Sequence, residues 1–381
     1  MAKAKTESRE DRISKICGNI NKSAFGGDNG DAVTFMGSRD IIPVKRFPSG
    51  CPDLDDALGG GWAKGRFVEV YGPESGGKTT LVCHAIAEHQ KMFPEEDCAL
   101  IDAEYSFDEE YAAALGVDMR YVIIHQPDSG EQALNILELL IKDGVSLLAV
   151  DSVAALTTRA ELEGDIGDIH VAQQARLMSG ALKRLTTEAG KRGTTVFWTN
   201  QLRDKIGVTF GDRTVTPAGR ALKHYASIRV SVVRTGTVRE GPKDNQIAVS
   251  NKTKADVKKN KTAPPFRRAE FCITYGIGID LVAAILDGAI SYKIVEKRGS
   301  WLSFDGEQLG QGRPAVLDML RTDEELVKKI SDALQAAKDS GVKATETVGA
   351  DFKKPKSGAG AKAEDTDAVD GGGGEVEVAD A

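Results

Sequence analysis

Short apolar runs separated by longer stretches of mixed polarity recur between about residues 40 and 280. The runs are RFVEVY (66–71), CALIDAE (98–104), YVIIHQ (121–126), SLLAVDS (146–152), TTVFWTNQ (194–201) and IRVSVV (228–233). Rich in β-branched residues and bounded by polar or Gly-containing segments, they predict buried strands. Intervening segments carry apolar residues at helical spacing: after the first run, Leu81, Val82, Ala85 and Ile86 fall on one side of a helix. At SGEQ, Ser129 and Gln132 stand at capping-box spacing and predict a helix over 130–142. This strand–helix alternation predicts an α/β core, a mostly parallel sheet covered by helices.

The flanks read differently. Residues 8–22 predict a short helix with Ile13, Ile16 and Ile20 on one face, followed by the turn-rich FGGDNGD. Three isoleucines do not make a core, so this helix is expected to dock on the body or on a neighbouring copy. LVAAILDGAISYK and EELVKKISDALQAAK predict a second, smaller unit of α/β or helical character. The chain beyond it is rich in Gly, Ala, Lys and acids and is expected to be disordered. The expected division is an N-terminal helix and polymerisation arm (1–39), a core (40–280), a small C-terminal domain (281–342) and an acidic tail (343–381).

Composition adds limits. With 41% hydrophobic residues the chain is ordinary globular material. It lacks an apolar run of membrane-spanning length, and its polar opening MAKAKTESREDRISK is unlike a signal peptide. A cytoplasmic protein without membrane contact is expected. The five cysteines have no C-x-x-C spacing and the five histidines no i, i+4 pair, which points to a reducing compartment and no zinc. Seven acids and no Lys or Arg lie between Glu364 and Asp380, so the net charge of −7 belongs to the tail. A charge-balanced body with clustered bases remains compatible with nucleic acid.

The candidate chemistry begins at GPESGGKTT: Gly72, Pro73, Glu74, Ser75, Gly76, Gly77, Lys78, Thr79 and Thr80. This is G-x-x-x-x-G-K-T between a predicted strand and a predicted helix, the context that a phosphate loop requires. Backbone N–H groups opening the helix face the phosphates, Lys78 supplies a point charge, and the Thr79 hydroxyl is placed for Mg²⁺. ATP and Mg²⁺ are the expected cofactors. Asp151, ending a predicted strand, is a candidate to hold Mg²⁺ through a water. Glu104, at another strand end, is a candidate to polarise the attacking water. Gln201, at a third, is a candidate sensor of the terminal phosphate. Each alone reads as a cap or a surface residue. Three polar strand ends after one phosphate loop make a site.

Seven segments in order, YGPESGGKTT, IDAEYSFDEEYAAALGVD, QPDSGEQAL, VDSVAALTTRAELEGDIGD, ALKHYAS, VKKNKTAPPF and GQGRPAV, resemble the bacterial RecA recombinase family to about residue 340. The resemblance implies a RecA-type P-loop ATPase core with an N-terminal helix arm and a small C-terminal α/β domain. It implies ATP-dependent helical filaments on single-stranded DNA, pairing and strand exchange with duplex DNA, and a role in DNA repair. Single-strand-binding and mediator proteins are further implied partners. By the same resemblance, Asp108 and Tyr111 match adenine contacts. Lys259 and Lys261 match a pair that reaches the nucleotide of the next subunit, whereas KKNK read by itself is only a basic turn. Whether a cell or a virus encodes the chain stays open.

Two segments are candidate DNA contacts. Residues 202–220 carry Arg203, Lys205, Arg213 and Arg220 with Ile206 and Phe210, bases for phosphates and apolar groups for unstacked bases. EGDIGDIHV (163–171) is acidic, so contact there falls to the backbone at Gly164, Gly167 and Val171, with Arg176 behind. Three departures from the family pattern bear on allostery: His224 in place of an aromatic residue, PAGRALK in place of a double glycine, and a longer 241–258 stretch. Two other readings compete. A hexameric ring helicase shares such a core, but MGSRDIIPVKRFPSGCPDLDDALGGG fits the recombinase better. A filament using ATP only as an assembly switch would not need Glu104.

Overall fold

The computed structural model describes residues 8–25, 33–34, 36, 43–165, 172–204, 214–217, 220–240, 242 and 245–340. The chain opens with α1 (Arg9–Phe25), whose Asn21 side chain bonds both backbone groups of Val33, at 2.8 and 2.9 Å. Ile16 and Ile20 are exposed on it, so the described body does not cover this apolar face. Then come β1 (Arg46–Phe47), α2 (Pro52–Leu58), β2 (Trp62–Ala63), β3 (Phe67–Gly72), α3 (Lys78–Met92), β4 (Cys98–Asp102) and α4 (Glu109–Ala114). They are followed by β5 (Val122–His125), α5 (Gly130–Asp143), β6 (Leu147–Asp151), α6 (Arg159–Glu163), α7 (Gln173–Arg192) and β7 (Thr195–Gln201). The two-residue strands β8 (Arg203–Asp204) and β9 (Thr214–Val215) precede α8 (Ala221–Tyr225), β10 (Ile228–Glu240), β11 (Ile247–Asn260), β12 (Arg268–Thr274) and β13 (Gly278–Ile279).

Each of the six apolar runs contains a strand. They form the parallel part of a nine-stranded sheet of order β13-β12-β11-β10-β3-β7-β6-β4-β5, with β11 to β13 antiparallel at one edge. All six residues of β3 are buried, as a strand covered on both faces demands. Apolar side chains of α3 pack on one face of the sheet, and those of α5 and α7 pack on the other. The α5 cap forms as the spacing predicts: the Gln132 N–H donates to Ser129 Oγ at 3.3 Å. Gln132 reaches back to the Asp128 N–H at 2.6 Å, one residue before the cap. Only Ile228–Ser231 of β10 pair with β3, so most of the long β10–β11 hairpin, which contains the extended 241–258 stretch, runs past the phosphate-loop strand. All five cysteines are free.

The C-terminal unit is α9 (Leu281–Ser291), a three-stranded sheet of β14 (Val295–Arg298), β15 (Trp301–Phe304) and β16 (Glu307–Gln311), α10 (Arg313–Thr322) and α11 (Glu324–Asp339). It has its own apolar cluster, including Leu286, Leu302, Leu320 and Ile330. α9 and α11 sit against α2, where Lys338 Nζ lies 2.7 Å from the Asp56 carboxylate. The expected acidic tail (343–381) lies outside the described residues, and among the described residues no helix is long and apolar enough to cross a membrane.

Candidate functional site

Four neighbouring parallel strands, β3, β7, β6 and β4, end on the same side of the sheet. Their carboxyl ends are where an open α/β sheet binds ligands. β3 leads into the phosphate motif, β7 ends at Gln201, β6 at Asp151, and Glu104 follows β4.

Backbone geometry explains the glycines. A Cβ on Gly72 would lie 1.9 Å from the Val232 carbonyl oxygen on β10. Gly77 has φ 95° and precedes α3, and a Cβ there would meet Ile273 Cδ1 at 2.2 Å. No side chain caps this helix, which leaves its first N–H groups directed into the loop. Lys78 Nζ donates to the Pro73 carbonyl at 2.8 Å. Burial lowers the Lys78 pKa, opposed by the charges of Asp151, Glu104 and Glu74.

Thr79 Oγ1 donates to Asp151 Oδ2 at 2.6 Å, and Thr199 Oγ1 on β7 donates to Asp151 Oδ1 at 2.5 Å. Burial raises the Asp151 pKa, while these two bonds pull it down. The Asp151 carbonyl accepts from the N–H groups of Ala103 (2.7 Å) and Glu104 (3.3 Å), fixing the start of the Glu104 segment. Glu104 Oε1 accepts from Ser152 Oγ and from Gln201 Nε2, the latter at 3.4 Å. Lys78, Thr79, Asp151, Glu104 and Gln201 thus converge. Beside them, Asp108 caps α4 by accepting from the Tyr111 N–H at 2.9 Å, and the Tyr111 hydroxyl is 3.1 Å from Thr80 Oγ1.

The other candidates are placed elsewhere. Lys259, two strands from β3, donates to the carbonyls of Lys223 (2.8 Å) and His224 (3.0 Å) at the end of α8. Burial lowers its pKa, and the positive charge of Lys261 adds to the effect. Lys261 follows β11 and is exposed, as is the His224 side chain. Gly164 ends α6 and Arg176 is exposed on the first turn of α7. Gly167 and Val171 lie outside the described residues. The neck of the 202–220 segment is the ladder of Arg203 with Val215 and Asp204 with Thr214. Arg220 precedes α8 and is exposed. Lys205, Ile206, Phe210 and Arg213 lie outside the described residues.

Sequence reasoning assigned no role to Ser152 and Thr199, the hydroxyls that hold Glu104 and Asp151. Their signal was present as polar positions in or just after apolar strand runs. A cavity of about 470 Å³ lined by Lys45, Lys64, Glu96, Ser146 and Arg192 lies at the opposite, amino-terminal ends of the strands and holds none of these groups.

Comparison with known proteins matches this architecture. The family model described as the RecA N-terminal domain matches residues 12–280, and that of the RecA C-terminal domain matches residues 283–338. The chain belongs to the RecA family. It is 46% identical over 317 residues to Protein RecA of Streptomyces ambofaciens, covering 83% of this chain and 84% of that protein. To Protein RecA of Corynebacterium urealyticum it is 47% identical over 305 residues, 80% and 81% of the two chains. To Protein RecA of Cutibacterium acnes it is 45% identical over 333 residues, 87% of this chain and 93% of that one. These relatives are bacterial and lend no support to a viral source. As a family member at this identity the chain is a recombinase: a DNA-dependent ATPase that binds DNA and forms filaments.

Proposed function

We propose that the convergent group hydrolyses ATP with Mg²⁺, and that hydrolysis is completed by the next protomer of a filament on single-stranded DNA. The carrying observation is that Thr79, Asp151, Glu104 and Gln201 form one hydrogen-bonded set with Ser152 and Thr199 at four adjacent strand ends. In this reading the loop N–H groups and Lys78 hold the phosphates, and Asp108, Tyr111 and Thr80 line the base. Among the described residues no three His, Cys, Asp or Glu form a metal cluster. A Thr hydroxyl beside one carboxylate is the donor set that suits Mg²⁺ carried in on phosphate. Bound there, Mg²⁺ neutralises charge on the phosphate oxygens. Glu104 accepts the proton of the attacking water, and Gln201 exchanges its bond to Glu104 for one to the terminal phosphate.

Lys259 and Lys261 lie outside the group of their own chain, which supports action on a neighbour's nucleotide. The exposed isoleucines of α1 suit a contact with that neighbour. Arg176, Arg203 and Arg220, with the loop residues between them, serve single-stranded and then duplex DNA. Cytoplasmic single-strand-binding and mediator proteins are the remaining partners in this reading. ATP turnover measured with and without single-stranded DNA, with electron microscopy of the same samples, tests it. DNA-stimulated turnover by filaments is expected; closed rings without filaments would overturn it.

A further inference from the structure

Glu69 lies in the middle of β3, fully buried between Val68 and Val70. It is bonded to Arg229 Nε, directly opposite it on β10. The Arg229 guanidinium also covers the Tyr71 ring at 4.5 Å. A buried ion pair is weak evidence for stability, because desolvating two charges offsets most of their attraction. What surrounds the pair gives it another use.

Both ends of the 202–220 segment return to this point. At the entry, Asn200 on β7, opposite Tyr71 in register, is fully buried and donates Nδ2 to Glu69 Oε1 at 3.3 Å. The same Nδ2 lies 3.5 Å from the Pro217 carbonyl at the exit. The amide has one N–H for each acceptor, and both distances are near the outer limit of a hydrogen bond, so neither acceptor holds it tightly. The Gln201 N–H donates to Asn200 Oδ1 at 3.0 Å. Beyond the exit, Lys259, opposite Arg229 on β11, holds the end of α8.

We propose that Asn200, seated on the buried Glu69–Arg229 pair, is the positioning residue that carries the state of Gln201 to the neck of the DNA-binding segment. This rests on the nucleotide-sensing role of Gln201 proposed above. When the Gln201 side chain turns from Glu104 towards a phosphate, its backbone N–H draws on Asn200 Oδ1. The amide shifts between Glu69 and Pro217, and the exit strand moves relative to the entry strand. Glu69 and Arg229 give the amide a fixed charged reference within the sheet.

The test is the ratio of affinities of the full-length protein for a labelled oligothymidylate with a non-hydrolysable ATP analogue and with ADP, read by anisotropy. Asn200→Ala should reduce this ratio about fivefold or more, at the lower end of typical couplings. Affinity for the analogue itself should stay within about twofold, because Asn200 bonds only the backbone N–H of Gln201 and none of Lys78, Thr79, Asp151 or Glu104. Glu69→Gln should act alike; if it does not fold, Asn200→Ala decides alone. Thr194→Val, which removes a buried bond to the Val145 carbonyl at the far strand ends, should leave the ratio intact. A ratio lost in Gln201→Ala but kept in Asn200→Ala would overturn the relay and spare the sensor. A ratio kept in both, absent from the unsubstituted protein, or equally reduced by Thr194→Val would also overturn the relay.

Discussion

Thr79 Oγ1 donates to Asp151 Oδ2 at 2.6 Å, joining the first turn of α3 to the end of β6. The hydroxyl that would ligate a cation is oriented by a carboxylate that is itself held by Thr199. Such outer partners set metal affinity. Asp151→Asn should raise the Mg²⁺ concentration for half-maximal ATP turnover by roughly 10–100-fold. The ATP concentration dependence at saturating Mg²⁺ should change much less. Titration of Mg²⁺ at fixed ATP checks it, and an unchanged midpoint counts against the Thr79–Asp151 assignment.

In the proposed mechanism Lys78 and Glu104 separate binding from chemistry. Lys78→Ala removes the charge nearest the loop and should abolish nucleotide binding or turnover. Glu104→Gln keeps the shape and the bond from Ser152 but removes the proton acceptor. It should bind ATP and hydrolyse it about 10²-fold more slowly or worse. Equilibrium binding and single-turnover hydrolysis on the same preparations decide, and normal turnover in both variants would remove the mechanism.

In the proposed mechanism Lys259 and Lys261 act only where a neighbour supplies the nucleotide. Replacing both with Ala should cut DNA-stimulated hydrolysis while leaving nucleotide binding intact. The bonds from Lys259 to the end of α8 limit the stability loss to about 1 kcal/mol. Mixed with Glu104→Gln, the double variant should regain activity at interfaces where an intact lysine pair meets an intact Glu104. No recovery at any mixing ratio, with co-assembly demonstrated, would count against action across the interface.

The parallel strands were legible because burial on both faces writes itself as continuous apolar runs, as in RFVEVY and SLLAVDS. The glycines of the candidate phosphate motif were legible because Gly72 and Gly77 have no room for a Cβ. Its strand-end partners could be nominated as polar residues after such runs. That Ser152 and Thr199 hold two of them depends on distances across strands far apart in sequence, which periodicity does not encode. Glu69 shows the limit: a lone acid inside an apolar run gives no hint that its partner is Arg229, 160 residues away.

Asp53 and Asp55 on α2 face the C-terminal unit, and burial pushes their carboxyls up to about 6 and about 7. For Asp53 the charge of Lys338 opposes burial while Asp56 and Asp287 add to it; for Asp55 bonds from Ser49 and the charge of Lys338 oppose it. Unfolded carboxyls titrate near about 3.9. The folded state therefore holds extra protons, and this contribution is full below about pH 4 and lost as pH rises through 6 to 7. His84 and His89, pushed down to about 4, act oppositely, but they remain in an Asp55→Asn variant and cancel in the comparison. The melting temperature of Asp55→Asn minus that of the unsubstituted protein should rise from pH 5 to pH 8, by roughly 2–4 °C for each kcal/mol of titration. A flat difference would show that Asp55 does not titrate between folded and unfolded states in this range.

The acidic segment 364–380 follows α11 and is tethered to a C-terminal unit whose β14 exposes Lys297 and Arg298. Tethering would give its seven acids a high effective concentration near that basic surface, where they would compete with duplex phosphates. Repulsion of this kind is long-ranged only at low ionic strength, reaching about 30 Å at 0.01 M and about 8 Å at 0.15 M. Single-stranded DNA, which the proposed function assigns to the segments at 163–176 and 202–220, should be affected less. Truncation after Lys362 should therefore tighten duplex binding most at low salt and low Mg²⁺. The advantage should shrink as either rises, because screening weakens the tail before it abolishes binding. Duplex affinity measured for both proteins across a salt series checks the expectation. Equal affinity at low salt would leave the acids a role in solubility alone.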